Sequence, residues 1–254
     1  MRSRDRLNAL YRDDRPLVFA HRGAMAYAPM NTMASFQLAV DQNADGIELD
    51  VYLTQDDIPV VIHDFDVSHT TDGEGRVGSM TLEEIRELDA GSWFDSRFSG
   101  EQVPTLDDVF EAFGNKLYIN VEIKALQLNT KHYAHQVAEC IKRHGMQERV
   151  IVSSFNPLVL RNMRQAISDI PIGYLEAPEV KWYIKTMLIG FNFDAWHPEN
   201  IQITKSNTAR THRRGRRLNT WTVNDPAEAK KLSDMGVDML ITDNPDTILA
   251  VFEA

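Results

Sequence analysis

Short apolar runs recur along the chain: LVFA, GIELDVY, YINVEI, VIVSSF, PIGYL, FDAWH, LNTWTV and DMLIT. Each is strand-length and closes on Gly, Pro, an Asx residue or a charged side chain, the pattern of strands buried on both faces. Helical spacing fills the intervals. Met33, Phe36 and Val40 follow a cap at Asn31 or Thr32, and Leu106, Val109, Phe110 and Phe113 follow a T-x-x-D box at Thr105. A further helix runs to His144 and stops at Gly145. Asn156-Pro157, Asp225-Pro226 and Asn244-Pro245 each place proline at a helix's first turn. Eight strands separated by helices, with no break in composition, predict an α/β fold, a (β/α)8 TIM barrel, as a single domain over residues 1–254.

Residues 52–104 interrupt this rhythm and read as a small insertion after the second strand. PVVIH follows the turn-like TQDDI closely enough to return antiparallel, and a T-x-x-E box opens a short helix over Thr81 to Leu88. The longest apolar run, WYIKTMLIGFNF from Trp182, is broken by Lys185 and is too short to span a bilayer, so a buried helix followed by a strand is expected.

In such a barrel the chemistry gathers at the C-terminal strand ends, where His21, Asp50, Lys124 and Asp243 fall. Glu48 and Asp50 lie two apart and share a strand face, while Glu122 sits within YINVEIK, where an unpaired carboxylate is costly to bury. Three oxygen donors without a thiolate favour Mg2+ or Ca2+ over Zn2+. An ion-pair network with Arg22 and Lys124 is the competing account, and the negative charges outnumber those partners. Two histidines able to exchange protons near neutral pH, His21 and His63, with the arginine fork and same-face carboxylates, suit metal-assisted chemistry on a phosphate ester. The Arg22 fork suits a phosphate, with Lys124 as a further contact. His197 and Trp221 lie at late strand ends, where barrel loops shape substrate pockets; for Trp221 a place in the core is an equal reading. His69, His132, His135, His144 and His212 read as surface or cap residues, and RTHRRGRR from Arg210 as a solvated helix end.

At 43% hydrophobic residues the chain can build a large core, and a net charge of −10 argues against nonspecific nucleic-acid binding. Cys140 is the single cysteine, so no disulfide framework exists. The opening MRSRDRLNALYRDDRP is charged and lacks an apolar stretch, which together with the absence of a spanning run leads us to expect a cytoplasmic protein without stable membrane insertion.

HRGAMAYAPMNTMASF, GIELDVYLTQDDIPVVIHD and VEIK, followed in order by HTTDGEG, TLEEIRELDAGSWF, VPTLDDVF, SSF, NTWTVN and GVDMLITDNP, resemble the glycerophosphodiester phosphodiesterase family from about Leu17 onward. The resemblance implies metal-dependent hydrolysis of a small glycerophosphodiester to sn-glycerol 3-phosphate and an alcohol. It implies catalytic roles for His21 and His63, metal ligation by Glu48, Asp50 and Glu122, and phosphate contact by Arg22; Lys124 and Trp221 join the substrate-binding set. Either the neighbouring glycerol hydroxyl or water is the first nucleophile. Two positions depart from the family pattern: Met30 stands where Glu is usual, and His69 where Arg is usual. Met30 is expected to leave Arg22 less restrained. The rival readings are a phospholipase-D-like enzyme acting on lysophospholipids and a noncatalytic barrel that binds a phosphorylated ligand.

Overall fold

Nine strands appear in the computed structural model, which describes residues 3–11, 14–125, 130–179, 184 and 186–253. Eight of them, β1 (Leu17–His21), β2 (Gly46–Leu53), β4 (Tyr118–Ile123), β5 (Val150–Ser154), β6 (Ile172–Glu176), β7 (Ala195–Pro198), β8 (Arg217–Thr220) and β9 (Met239–Thr242), pair in parallel and close as β9 joins β1 and β1 joins β2. Between them run α2 (Met33–Asp41), α4 (Leu106–Phe113), α5 (Lys131–Arg143), α6 (Pro157–Ala166), α7 (Lys205–Arg213) and α8 (Pro226–Asp234), with α9 (Pro245–Leu249) after the last strand. The expected (β/α)8 barrel is therefore present. Among the described residues no helix is long and apolar enough to cross a membrane.

Alternation within each strand sorts the side chains. Ile47, Leu49, Val51, Ile119, Val121 and Ile123 point outward and are buried beneath Phe36, Phe110, Phe113 and Ile141 of the helices. Each such burial stabilises by about 1.5–3 kcal/mol. Leu17, Phe19, Ile151, Met239 and Ile241 meet one another inside the barrel. Burial on both sides is why these strands read as continuous apolar runs.

A helix not anticipated from the sequence, α1 (Ser3–Leu10), leads Leu10 and Tyr11 into that inner cluster. The Tyr11 hydroxyl donates to Asn219 Oδ1 at 2.8 Å, and the Arg217 guanidinium lies 4.8 Å from the Tyr11 ring centroid. The charged opening segment thus closes the base of the barrel with its last two apolar residues.

Aspartates just before three strands reach sideways at that same base. Asp45 accepts from the Val18 amide and from both Arg15 Nη groups. Asp194 accepts from the Ile172 amide and pairs with Arg164, and Asp238 accepts from the Leu218 amide and Arg217 Nη1. Each ties the start of one strand to its predecessor.

The insertion is also present. β2 outruns the barrel, and its end pairs antiparallel with β3 (Pro59–Val61), Val51 opposite Val61. Val60, Ile62, Val67, Val77, Ile85, Ala90 and Val103 form a separate small core there, capped by α3 (Leu82–Arg86). Thr81 and Glu84 make the expected capping box, although the helix is shorter than the predicted Thr81 to Leu88. The expectation for the run from Trp182 holds in part. Trp182, Tyr183 and Lys185 lie outside the described residues; Phe193 is buried, Leu188 and Phe191 pack against the core, and a strand follows at Ala195, but Met187 and Ile189 are exposed.

Candidate active site

Strand register brings the chemistry together. His21 on β1 is level with Glu48 on β2, and Asp50 on β2 is level with Glu122 on β4, so all four project to the same inner mouth. Donor oxygens of Glu48, Asp50 and Glu122 lie within 4.8 Å of one another, and all three residues are buried. The ion pairs anticipated as the competing account are also there. Lys124 Nζ sits 3.1 Å from Asp50 Oδ1 and 2.6 Å from Glu122 Oε1, and Arg22 Nε approaches Asp50 Oδ2 at 3.2 Å. Two cations against three carboxylates leave one charge uncompensated, and among the described residues Glu48 is the carboxylate without a Lys or Arg side-chain ion pair, accepting instead from the Arg22 amide at 3.3 Å. Burial, then the neighbouring Asp50 and Glu122, push its pKa well above the ordinary range. Glu122 is raised by burial too, while Asp50 is held down by Lys124 and Arg22 despite burial. A cluster of hard oxygen donors with an unspent negative charge fits a divalent cation.

Both candidate histidines are backed by aspartates. His21 Nδ1 contacts Asp243 Oδ1 at 2.7 Å, and Asn224 Nδ2 donates to the other oxygen at 2.6 Å. Asp243 is held below its ordinary range by His21 and Asn224 even though burial opposes this. His63, just past β3, contacts Asp64 Oδ1 at 3.0 Å through Nδ1. His69 Nδ1 contacts the second Asp64 oxygen at 3.1 Å, so this surface histidine braces the pair. Engaging Nδ1 in each ring leaves Nε2 for the cavity. Burial lowers the His63 pKa, with Lys124 and Arg22 acting in the same direction.

His21, Arg22, Glu48, His63, Glu122 and Lys124 line one cavity of about 250 Å³, with Trp221 on its wall. Asp50 lies beneath, where Asn31 Nδ2 donates to its Oδ2 at 2.9 Å. Arg22 and Asn31 both adopt left-handed backbone, φ 54° and 58°, held by the Asn31 amide donating to the Arg22 carbonyl at 2.9 Å. Non-glycine residues in that region store strain, which here aims a guanidinium and an amide at the site.

Arg22 Nη1 donates to Met30 Sδ at 3.3 Å, a weak acceptor where the family carries a carboxylate. One expectation needs correction. His197 does not shape the mouth. It is fully buried in the barrel interior, where Asn219 Nδ2 lies 2.9 Å from its Nε2 and burial pushes its pKa down to about 3. Trp221, partly buried, donates from Nε1 to the His197 carbonyl at 3.1 Å. Asp64 and Asn224 escaped sequence reasoning, as did the pairing of Asp243 with His21. His63-Asp64 adjacency was the only local signal.

The profile of the Glycerophosphoryl diester phosphodiesterase family matches residues 21–247. A glycerophosphodiester phosphodiesterase of Caldanaerobacter subterraneus subsp. tengcongensis is 39% identical over 236 residues, covering 92% of this chain and 96% of that protein. Another, from Bacillus subtilis, is 33% identical over 256 residues, covering 92% and 85%. Among solved structures, an Oleispira antarctica phosphodiesterase in complex with the product sn-glycerol-3-phosphate is similar with a TM-score of 0.88 and 30% identity, covering 94% of this chain and 98% of that one.

Proposed function

Because this chain belongs to the glycerophosphodiester phosphodiesterase family and is a phosphoric diester hydrolase, we propose that it hydrolyses glycerophosphodiesters to sn-glycerol 3-phosphate and an alcohol by acid-base catalysis between two histidines. The observation that carries the reading is the convergence of two aspartate-backed imidazoles and a buried three-carboxylate cluster on one cavity.

Glu48, Asp50 and Glu122 would hold a divalent cation, Mg2+ or Ca2+, which supplies positive charge to the phosphoryl oxygens when bound. Arg22 offers a guanidinium to a non-bridging oxygen, and Lys124 a second cationic donor from the cavity wall. His63, kept neutral by burial, takes the proton from the attacking oxygen as that oxygen bonds to phosphorus. His21, whose Nδ1 is held by Asp243 at 2.7 Å so that Nε2 faces the cavity, gives its Nε2 proton to the alcohol oxygen as the P–O bond breaks. With water as nucleophile this completes the reaction; with a glycerol hydroxyl it gives a cyclic phosphate, which water then opens with His21 taking the proton from water and His63 returning its proton to the glycerol oxygen.

Assays of glycerol 3-phosphate release from glycerophosphocholine and glycerophosphoethanolamine, with EDTA and then with added Mg2+ or Ca2+, test this. Release that is lost with EDTA and restored by a divalent cation is expected. Cation-independent release would remove the metal from the proposal, and no release from either substrate or from neutral alkyl diesters of glycerol 3-phosphate would remove the activity.

A further inference from the structure

A second cavity, of about 520 Å³, adjoins the first at the barrel mouth, and Glu122, Lys124 and Phe155 line both. Phe155 stands between them, its ring held edge-on by Trp221 at 5.7 Å. Lys124 belongs to both cavities, so a phosphate held there presents one ester arm to each.

The two cavities differ in chemistry. Asn120 lines the smaller one, is 1% exposed, and has neither Nδ2 nor Oδ1 hydrogen-bonded. A buried amide with its donor and acceptor both unspent is matched by a ligand that carries hydroxyl groups. The larger cavity is walled by Tyr52, Ile123, Pro157, Leu158 and Met187. Two of its polar side chains are already engaged: Ser154 Oγ donates to the Ile123 carbonyl, and Asn156 donates to the Ala125 carbonyl while accepting from the Leu158 amide. The carboxylate on its wall, Glu122, is paired with Lys124 at 2.6 Å. Among the described residues a cationic alcohol would find no free counter-charge there and a nearby ammonium.

We infer that the substrate is oriented by these two cavities, glycerol entering the smaller one against Asn120 and the leaving alcohol entering the larger one, which selects neutral apolar alcohols. This rests on the hydrolase reading above. Cleavage then expels the apolar alcohol as its oxygen takes the proton from His21, and glycerol 3-phosphate stays on the Asn120 side.

The test compares kcat/KM for the ethyl and hexyl diesters of sn-glycerol 3-phosphate with that for glycerophosphocholine, using the full chain and Mg2+. A buried methylene is worth roughly 4-fold, so partial burial of the longer chain should favour hexyl over ethyl by about 10-fold or more. Leu158→Glu puts a charge on the apolar wall at a helix N-terminus that tolerates acids, and should cut the hexyl advantage to under about 3-fold with ethyl turnover retained. Met187→Lys, at an exposed position, should do the same without endangering the fold. On the glycerol side, Asn120→Leu should raise KM for glycerol diesters and narrow their advantage over propyl diesters that lack the hydroxyls. Turnover of every diester without dependence on alkyl length, or glycerophosphocholine surpassing hexyl tenfold, overturns the inference and leaves the hydrolase reading standing. Turnover of no diester overturns both.

Discussion

Replacing Asp243 by Asn isolates the task assigned to His21. The native carboxylate takes His21 Nδ1 at 2.7 Å on one oxygen and Asn224 Nδ2 at 2.6 Å on the other. An amide cannot accept at both places. If its oxygen satisfies Asn224, its NH2 faces Nδ1, which must then be the unprotonated nitrogen, and the ring loses its counter-charge as well. A general acid contributes roughly 10²–10⁴-fold, so kcat for glycerophosphocholine should fall by about that factor. The loss should depend on the leaving group. A glycerol 3-phosphate p-nitrophenyl diester, whose phenolate leaves without a proton, should lose less than about 10-fold in the same variant, because only acid catalysis has been removed. Release of glycerol 3-phosphate and of nitrophenolate gives the two rates, and circular dichroism establishes that the variant is folded. Equal losses on both substrates, or a glycerophosphocholine rate within threefold of native, would refute the assignment of His21 as the acid.

Because burial lowers the His63 pKa below its ordinary 6.5, and a base must be unprotonated, the acidic limb of kcat/KM against pH should have its midpoint below 6.5; a midpoint above 7 contradicts the role. Burial and the neighbouring Asp50 and Glu122 raise Glu48 in the folded state above its ordinary 4.5, so the cation-free protein keeps that group's stabilising contribution below pH 4.5 and loses it as pH rises through the raised value. In EDTA the native protein should therefore lose Tm relative to Glu48→Gln between pH 5 and 8, and Mg2+ should reverse the loss; parallel Tm curves would refute this. Met30→Glu exchanges a weak sulfur acceptor at 3.3 Å for a carboxylate, and should change kcat/KM by no more than about 10-fold; activation by several orders of magnitude would mean that the native site is incomplete. Gly173→Ala would place a Cβ 2.3 Å from His197 Nε2, and overpacking of this kind should destabilise by about 1–3 kcal/mol, read as a lower Tm.

The barrel was legible because both faces of each strand are buried, which writes an unbroken apolar word into the chain eight times. The carboxylates were legible because alternation alone aligns Glu48 with Asp50. What escaped notice depends on closure. Asp243 meets His21 across 222 residues, and no local pattern announces a partner that far away. Helix α1 was hidden for a different reason: its composition is that of a solvated segment, yet Leu10 and Tyr11 are drawn into the base. Conversely, the run from Trp182 looks like core by hydropathy, yet Met187 and Ile189 are exposed, Met187 on the wall of the larger cavity.

The aspartates that precede β2, β7 and β9 act at a distance from the chemistry. Asp45 grips the Val18 amide and thereby sets how far β2 is staggered against β1. A slip of one residue in a strand turns every side chain to the opposite side. Glu48 and Asp50 would then face the helices, and Ile47 and Leu49 the cavity. The aim of the acidic cluster is thus governed from the closed end of the barrel, which leaves the loops at the open end free to diverge in length and composition without disturbing the direction in which those acids point.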